Sequence, residues 1–208
     1  MKIQFVIFHG AYGSPSGNWF PYLKEELEKL DQKVLVPEFP VEDWNTVTKT
    51  KPKNKPKNQD LEVWLKVFEK EVYPKIKNEK HLCFIGHSLG PLFILHACGK
   101  FNLKLDLAIF VAPFLWTPNT IWQIDYVNQS FYKKKIDFKK IRKLISHSYV
   151  LYGDNDPYVP KKYPLEFAKK IGSSIIPVKG GKHMNAEAGY TRFPLVLKLC
   201  RETINQPA

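Results

Sequence analysis

The sequence predicts an α/β protein: a central parallel sheet of about six strands in the order 2-1-3-4-5-6, with helices on both faces. Three observations predict it. Strand-like apolar runs alternate with helical patterns along the whole chain, the order that builds a parallel sheet. Right-handed crossovers then select that strand order. A chain of 208 residues, 44% hydrophobic and 14% aromatic, can bury a core without disulfide or metal staples.

Residues 3–8 read as a buried strand ending at His9-Gly10. Asn18 stands ready to cap a helix over 19–30, where Leu23, Leu27 and Leu30 recur at helical spacing. Residues 33–36 form a short second strand, stopped by Pro37. Residues 39–59 are polar and broken by Pro40, Pro52 and Pro56, so they read as a loop, with a lysine-proline stretch at 47–58. Asp60 caps an amphipathic helix over 61–76, with Leu61, Trp64, Leu65 and Phe68 on one face and Pro74 bending or ending it. The third strand is 81–85. A helix over 89–98, apolar almost all round and therefore buried, is expected to stop at Gly99. Leu105–Val111 is the fourth strand, and 112–146 reads as a small lid plus one surface helix. A fifth strand at 148–152, a helix over Lys162–Ile171, a sixth strand at Ser174–Val178 and a last helix over 193–204 complete one domain spanning 1–208.

The formal net charge is +12, but it is local. Residues 47–58 carry five lysines and no acid, residues 133–143 carry +6, and the remainder carries +1. A near-neutral scaffold with two basic segments fits solvated surface, or attraction to an acidic partner at those segments. It does not fit a nucleic-acid binder, and no zinc-finger spacing or RNA-recognition aromatics occur. No apolar run is long enough for a membrane span, and the run at 5–8 is too short for the core of a signal peptide. Cys83, Cys98 and Cys200 lie in apolar segments without a C-x-x-C pair, which implies reduced, buried thiols and a cytoplasmic setting. No metal and no cofactor are expected, since H-x-x-x-H, C-x-x-C, GxGxxG and GxxxxGK[ST] patterns are all missing.

The chemistry centres on Gly86-His87-Ser88-Leu89-Gly90, a G-x-S-x-G between a strand and a buried helix. That setting places a serine on a sharp turn with its hydroxyl lifted above the sheet edge. Gly86 and Gly90 leave room where strand and helix pass closely. The helix N-terminus favours negative charge developing beside Ser88. A serine needs a base, and in this architecture the order is nucleophile, acid, histidine. Strand five runs into Gly153-Asp154-Asn155-Asp156-Pro157, and strand six into Gly180-Gly181-Lys182-His183. His183 would take the Ser88 proton and an aspartate would hold its tautomer. An oxyanion hole is expected from the backbone N–H groups of Leu89 and Ala11, the latter aimed by Gly10. His87 is the variable motif position, His9 packs locally, His96 is a core residue, and His81 and His147 are solvated.

Over nearly its whole length the chain resembles the small serine hydrolases grouped with retinoblastoma-binding protein nine, within the α/β-hydrolase superfamily. The resemblance rests on FVIFHGAYGSPSGNWFPYLKEEL, GHSLG, YGDNDPYVP and GGKHMNAEAGY. It implies an α/β-hydrolase fold with a minimal lid, and esterase- or aminopeptidase-like activity in the cytoplasm. It also favours Asp156 over Asp154 as the acid, because the family's acid stands three residues past the strand-end glycine. The lysine-proline stretch at 47–58 looks like an insertion relative to the family's compact pattern.

The substrate is expected to be a small-molecule or peptide acyl compound. The lid is short, so Tyr12, Trp19, Trp116 and Trp122 are the candidates to line a shallow apolar cleft over Ser88. Phe114, Tyr126, Phe131 and Tyr132 belong to the same aromatic-rich region. Besides hydrolysis through an acyl-enzyme, the same residues allow acyl transfer to another acceptor, and the fold allows an interaction module with vestigial activity.

Overall fold

Along the central strands successive side chains go to opposite faces, and both faces are dry. Val6, Phe8, Phe84, Ala108, Phe110 and Val150 feed one core; Phe5, Ile7, Cys83, Ile85, Leu107 and Ile109 feed the other. The computed structural model describes residues 1–49 and 55–205 of the chain. Its strands are β1 Gln4–Phe8, β2 Lys33–Leu35, β3 Leu82–His87, β4 Leu105–Val111, β5 Ile145–Gly153 and β6 Ser174–Val178. They form one sheet in the order 2-1-3-4-5-6, every pair parallel.

The helices are α1 Phe20–Glu28, α2 Trp44–Lys49, α3 Leu61–Val67, α4 Tyr73–Ile76, α5 Gly90–Phe101, α6 Trp122–Lys133, α7 Phe138–Leu144, α8 Lys162–Ile171 and α9 Pro194–Ile204. From β1 the chain steps one way, to β2; from β3 it steps the other way, through β4 and β5 to β6. Right-handed crossovers therefore send their helices to opposite faces. Phe20, Leu23 and Leu27 of α1 pack with Val196, Leu197 and Cys200 of α9 on one side, and α3, α5, α7 and α8 cover the other. Each fully buried Leu or Phe contributes about 1.5–3 kcal/mol. The C-terminal ends of β1 and β3 lie side by side at this reversal, Phe8 level with Gly86. A ligand crevice is expected there in an open parallel sheet.

Several elements differ from the sequence reading. Asn18 does not cap α1, which starts at Phe20 without a side-chain cap. Asn18 instead adopts φ 52° and accepts a hydrogen bond from the Ala186 N–H at 2.9 Å. Helix α5 runs through Gly99 and stops at Asn102, which takes the left-handed conformation at φ 52°. The Gly99 carbonyl accepts from Lys140 Nζ at 2.8 Å, and a Cβ there would meet only Ile141 Cδ1 at an ordinary 3.8 Å. Pro74 does not break the helical run. A π-helical turn over Phe68–Val72 precedes it and carries the Tyr73 N–H back to the Phe68 carbonyl. That wider turn gives the proline ring room.

The segment 39–59 is not simply a loop. Helix α2 lies inside it, Phe39 and Val47 are buried, and Gln59 is fully buried with Nε2 on Asn128 Oδ1 at 2.7 Å. Of the lysine-proline stretch, residues 50–54 lie outside the described residues. Much of the second basic segment is used internally. Lys134 pairs with Glu62, and Arg142 donates to the Lys169 and Lys170 carbonyls. Among the described residues no helix is long and apolar enough to cross a membrane.

Candidate active site

Ser88 follows β3 directly and has φ 59°, a conformation that costs a non-glycine residue energy. Two constraints hold it. Its N–H donates to the Val111 carbonyl at 2.9 Å, and α5 begins two residues later. Side chains at the flanking positions would collide with backbone: a Cβ on Gly86 would come 2.6 Å from Pro91 N, and one on Gly90 2.6 Å from the Phe8 carbonyl oxygen. Leu89, at the start of α5, is fully buried.

The loop after β1 closes over this turn. A Cβ on Gly10 would lie 2.8 Å from the Ser88 Cβ, so only glycine lets the two backbones approach. His9 is buried, and its tautomer is set by its neighbours. The Phe39 N–H donates to His9 Nε2 at 3.0 Å, so Nδ1 carries the proton and donates to the Gly10 carbonyl at 2.9 Å. Burial holds this imidazole neutral by pushing its pKa down. The Gly10 carbonyl also accepts from the Gly13 N–H at 3.2 Å. With that carbonyl pinned, the Ala11 N–H of the same trans peptide points the opposite way, away from His9.

The loop after β5 staples the loop after β6 through three consecutive side chains. Asp154 Oδ1 accepts from the Gly180 N–H at 2.7 Å, Asn155 Oδ1 from the Lys182 N–H at 2.8 Å, and Asp156 Oδ2 from His183 Nδ1 at 2.8 Å. The other Asp156 oxygen takes the Tyr158 and Val159 N–H groups at 2.8 and 3.0 Å. It is Asp156, with its side chain 2% exposed, that meets the histidine, while Asp154 shapes the turn. A carboxylate only accepts, so Nδ1 of His183 is the protonated nitrogen and Nε2 is left as the basic one.

The His183 backbone has its own supports. His87 Nε2 donates to the His183 carbonyl at 2.9 Å, and Trp19 Nε1 donates to the Met184 carbonyl at 3.0 Å. His87 is buried, its ring edge-on to that of His183 with centroids 4.8 Å apart. Burial and the neighbouring His183 push its pKa down to about 3, so it stays neutral.

Gly10, Ala11, Ser88, His87 and His183 open onto one cleft of about 470 Å3. Its apolar walls are Tyr12, Trp44, Ile121 and Ile124. Tyr12 lies where the sequence suggested; its N–H donates to Gln59 Oε1 at 3.1 Å and its ring meets Trp44 edge-on. The other three aromatic expectations are corrected. Trp19 is fully buried beneath the site against Phe20 and Phe193, where it tethers a loop. Trp116 and Trp122 are each 42% exposed and do not line the cleft. At the start of α6 it is Ile121, the residue just before the helix, and Ile124 that face the cleft, and Trp122 falls on another face. Phe114 and Phe131 cover the core. Trp44 and His87 were missed by the sequence reading. Trp44 sits inside a segment whose prolines and lysines mask a short helix, and a lone histidine at a variable motif position gives no signal of what it touches. Among the described residues no group of three or more His, Cys, Asp or Glu is gathered as a metal site.

The six-stranded parallel sheet, the serine on its turn after β3 and the helices on both faces define an α/β hydrolase. The chain belongs to the serine hydrolase family, whose model, described as "Serine hydrolase", matches residues 5–202. It is 26% identical over 198 residues to YdeN of Bacillus subtilis (strain 168), which carries the name of a hydrolase; the match covers 94% of this chain and 93% of that protein. The solved structure of the ydeN gene product superposes with a TM-score of 0.81 at 24% identity, covering 99% of this chain and all of that one. Est1E from Butyrivibrio proteoclasticus, solved with ferulic acid bound, superposes at 0.69 and 16% identity, covering 98% and 90% of the two chains. At these identities the two superpositions speak for the fold.

Proposed function

We propose that the protein hydrolyses an ester, thioester or amide of a small acyl group through an acyl-enzyme on Ser88. The observation that carries this reading is the 2.8 Å contact of Asp156 with His183, on a histidine that shares a cleft wall with Ser88. His183 Nε2 takes the Ser88 proton as Oγ attacks the acyl carbon, and Asp156 stabilises the resulting imidazolium. The oxygen that becomes negative is held by the N–H groups of Leu89 and Ala11, donors that act on charge present only in the transition state. His183 then gives the proton to the leaving group, and water repeats the cycle to free Ser88. The compact chain and the NWFPYL segment support the finer grouping with the retinoblastoma-binding protein nine-like hydrolases. Three free, buried cysteines support a reducing, cytoplasmic setting.

The test is covalent labelling with a fluorophosphonate probe. Wild-type protein should label at Ser88, and Ser88→Ala should not label. Full labelling of the alanine variant, or none of the wild type, would remove the assignment.

A further inference from the structure

The Ser88 cleft continues past His183 into a second hollow of about 290 Å3. The two spaces share Tyr158, His183, Asn185 and Glu187 as walls. Their chemistry differs. The cleft side toward the Gly10 loop is walled by Tyr12, Trp44, Ile121 and Ile124, whereas the hollow adds Asn155, Pro157, Lys182 and Ala188. Tyr158 stands between them, its ring edge-on to His183 at 5.0 Å and its hydroxyl donating to Glu187 Oε2 at 2.8 Å. Asn155 and Asn185 spend their side-chain oxygens on the Lys182 and Ala188 N–H groups. Their amide nitrogens, Lys182 Nζ and the second Glu187 oxygen have no hydrogen-bond partner among the described residues.

Resting on the hydrolase reading above, we propose that this hollow is a leaving-group subsite for a neutral alcohol that carries further hydroxyls, such as a glycerol or sugar unit. The direction follows from the proton. Attack by Ser88 Oγ forms the acyl–oxygen bond and breaks the bond from the acyl carbon to the departing oxygen. That oxygen receives the proton His183 took from Ser88, so the departing group must lie against His183. The hollow lies against His183, and the apolar walls lie toward the oxyanion loop, where the acyl portion stays. The hollow offers both kinds of hydrogen-bonding group, donors on Lys182, Asn155 and Asn185 and an acceptor on Glu187. Hydroxyls, which donate and accept, match that mixture. One ammonium and one carboxylate offset each other, which disfavours a leaving group of either net charge.

Three butyrate esters with the same acyl group test this: glyceryl monobutyrate, propyl butyrate and butyrylcholine. Wild-type protein should show kcat/KM about tenfold higher for the glyceryl than for the propyl ester, the scale of one or two hydrogen bonds. Glu187→Ala and Lys182→Ala, both at exposed positions, should each bring that ratio toward one. A change that only loosened the loop would lower both rates together and leave the ratio alone. Equal rates on the glyceryl and propyl esters, a ratio unmoved by both substitutions, or a preference for butyrylcholine would overturn the subsite while Ser88 still labelled. No hydrolysis of any ester together with no labelling of Ser88 would remove the hydrolase reading and this inference with it.

Discussion

His87 Nε2 donates to the carbonyl oxygen of His183 across 96 positions of sequence, at 2.9 Å and out of contact with water. The residue before the nucleophile thus holds the backbone of the proposed base, tying the turn after β3 to the loop after β6. His87→Phe should keep the fold and lose this tether, lowering kcat about tenfold to a hundredfold with a smaller change in KM, since small misplacements of a catalytic group are costly. His87→Gln, which can still donate, should recover most of the loss. Equal activity of the Phe and Gln variants would show that the hydrogen bond does not position His183.

The two aspartates after β5 should separate kinetically. Asp156→Asn leaves the shape but disturbs the His183 tautomer, and turnover should fall about 10⁴-fold. Asp154→Asn can still accept from the Gly180 N–H, so its effect should be several-fold at most. The reverse ranking in steady-state kinetics would transfer the acid role to Asp154.

Stability should fall in mild acid because of the buried histidines. His87 and His96 are pushed from 6.5 down to about 3 and about 4, mainly by burial, and His9 is pushed the same way. In the unfolded chain each binds a proton near its ordinary value. Below pH 6.5 the unfolded state therefore holds more protons, and this part of the stability, full above that pH, drains as pH falls toward the folded values. His87 and His96 each add a slope of about 1.4 kcal/mol per pH unit in that window, and His9 acts in the same direction. Urea unfolding at pH 7 and pH 5 measures it, and His87→Gln should make the slope shallower. A stability independent of pH between those two points would contradict the buried, neutral state of these rings.

The cleft should favour short acyl groups. It is bounded by Tyr12, Trp44, Ile121 and Ile124 and is open to solvent beyond them, so further methylenes gain little of the roughly 0.8 kcal/mol each would contribute if buried. Across nitrophenyl esters of increasing acyl length, kcat/KM should peak at short chains. Trp44→Ala should shift the optimum toward bulkier acids. A steady rise to long chains would reveal a deep acyl tunnel.

Trp19 should matter for stability and loop placement through a buried hydrogen bond. Trp19→Phe leaves the Met184 carbonyl without its indole donor and opens space beside Phe20 and Phe193. A loss of about 2–4 kcal/mol is expected from the two effects together. Thermal unfolding checks it; an unchanged midpoint would show that the loop is held without this contact.

The strands, their order and the serine turn were legible in the sequence because each depends on local pattern. An unbroken apolar run marks a strand buried on both faces, and chain order with right-handed crossovers leaves one sheet arrangement. Helix ends were less legible. Gly99 and Asn18 are residue types suited to a boundary, yet α5 runs on to the left-handed Asn102 and the Asn18 side chain accepts from the Ala186 N–H. The composition of the cleft was decided by tertiary structure alone. Trp19, Trp116 and Trp122 are as aromatic as Tyr12 and Trp44, but what a side chain lines depends on which face its backbone turns toward loops distant in sequence, as Trp19 meets Met184 across 165 positions. Likewise residue type and chain order leave both Asp154 and Asp156 available as the acid, and the preference for Asp156 comes from the family resemblance alone. Only the docking of the loop after β6 gives Gly180 to one and His183 to the other. Local sequence encodes periodicity and turns; the meeting of distant polar groups is set by how the packed sheet brings its strand ends to a common edge.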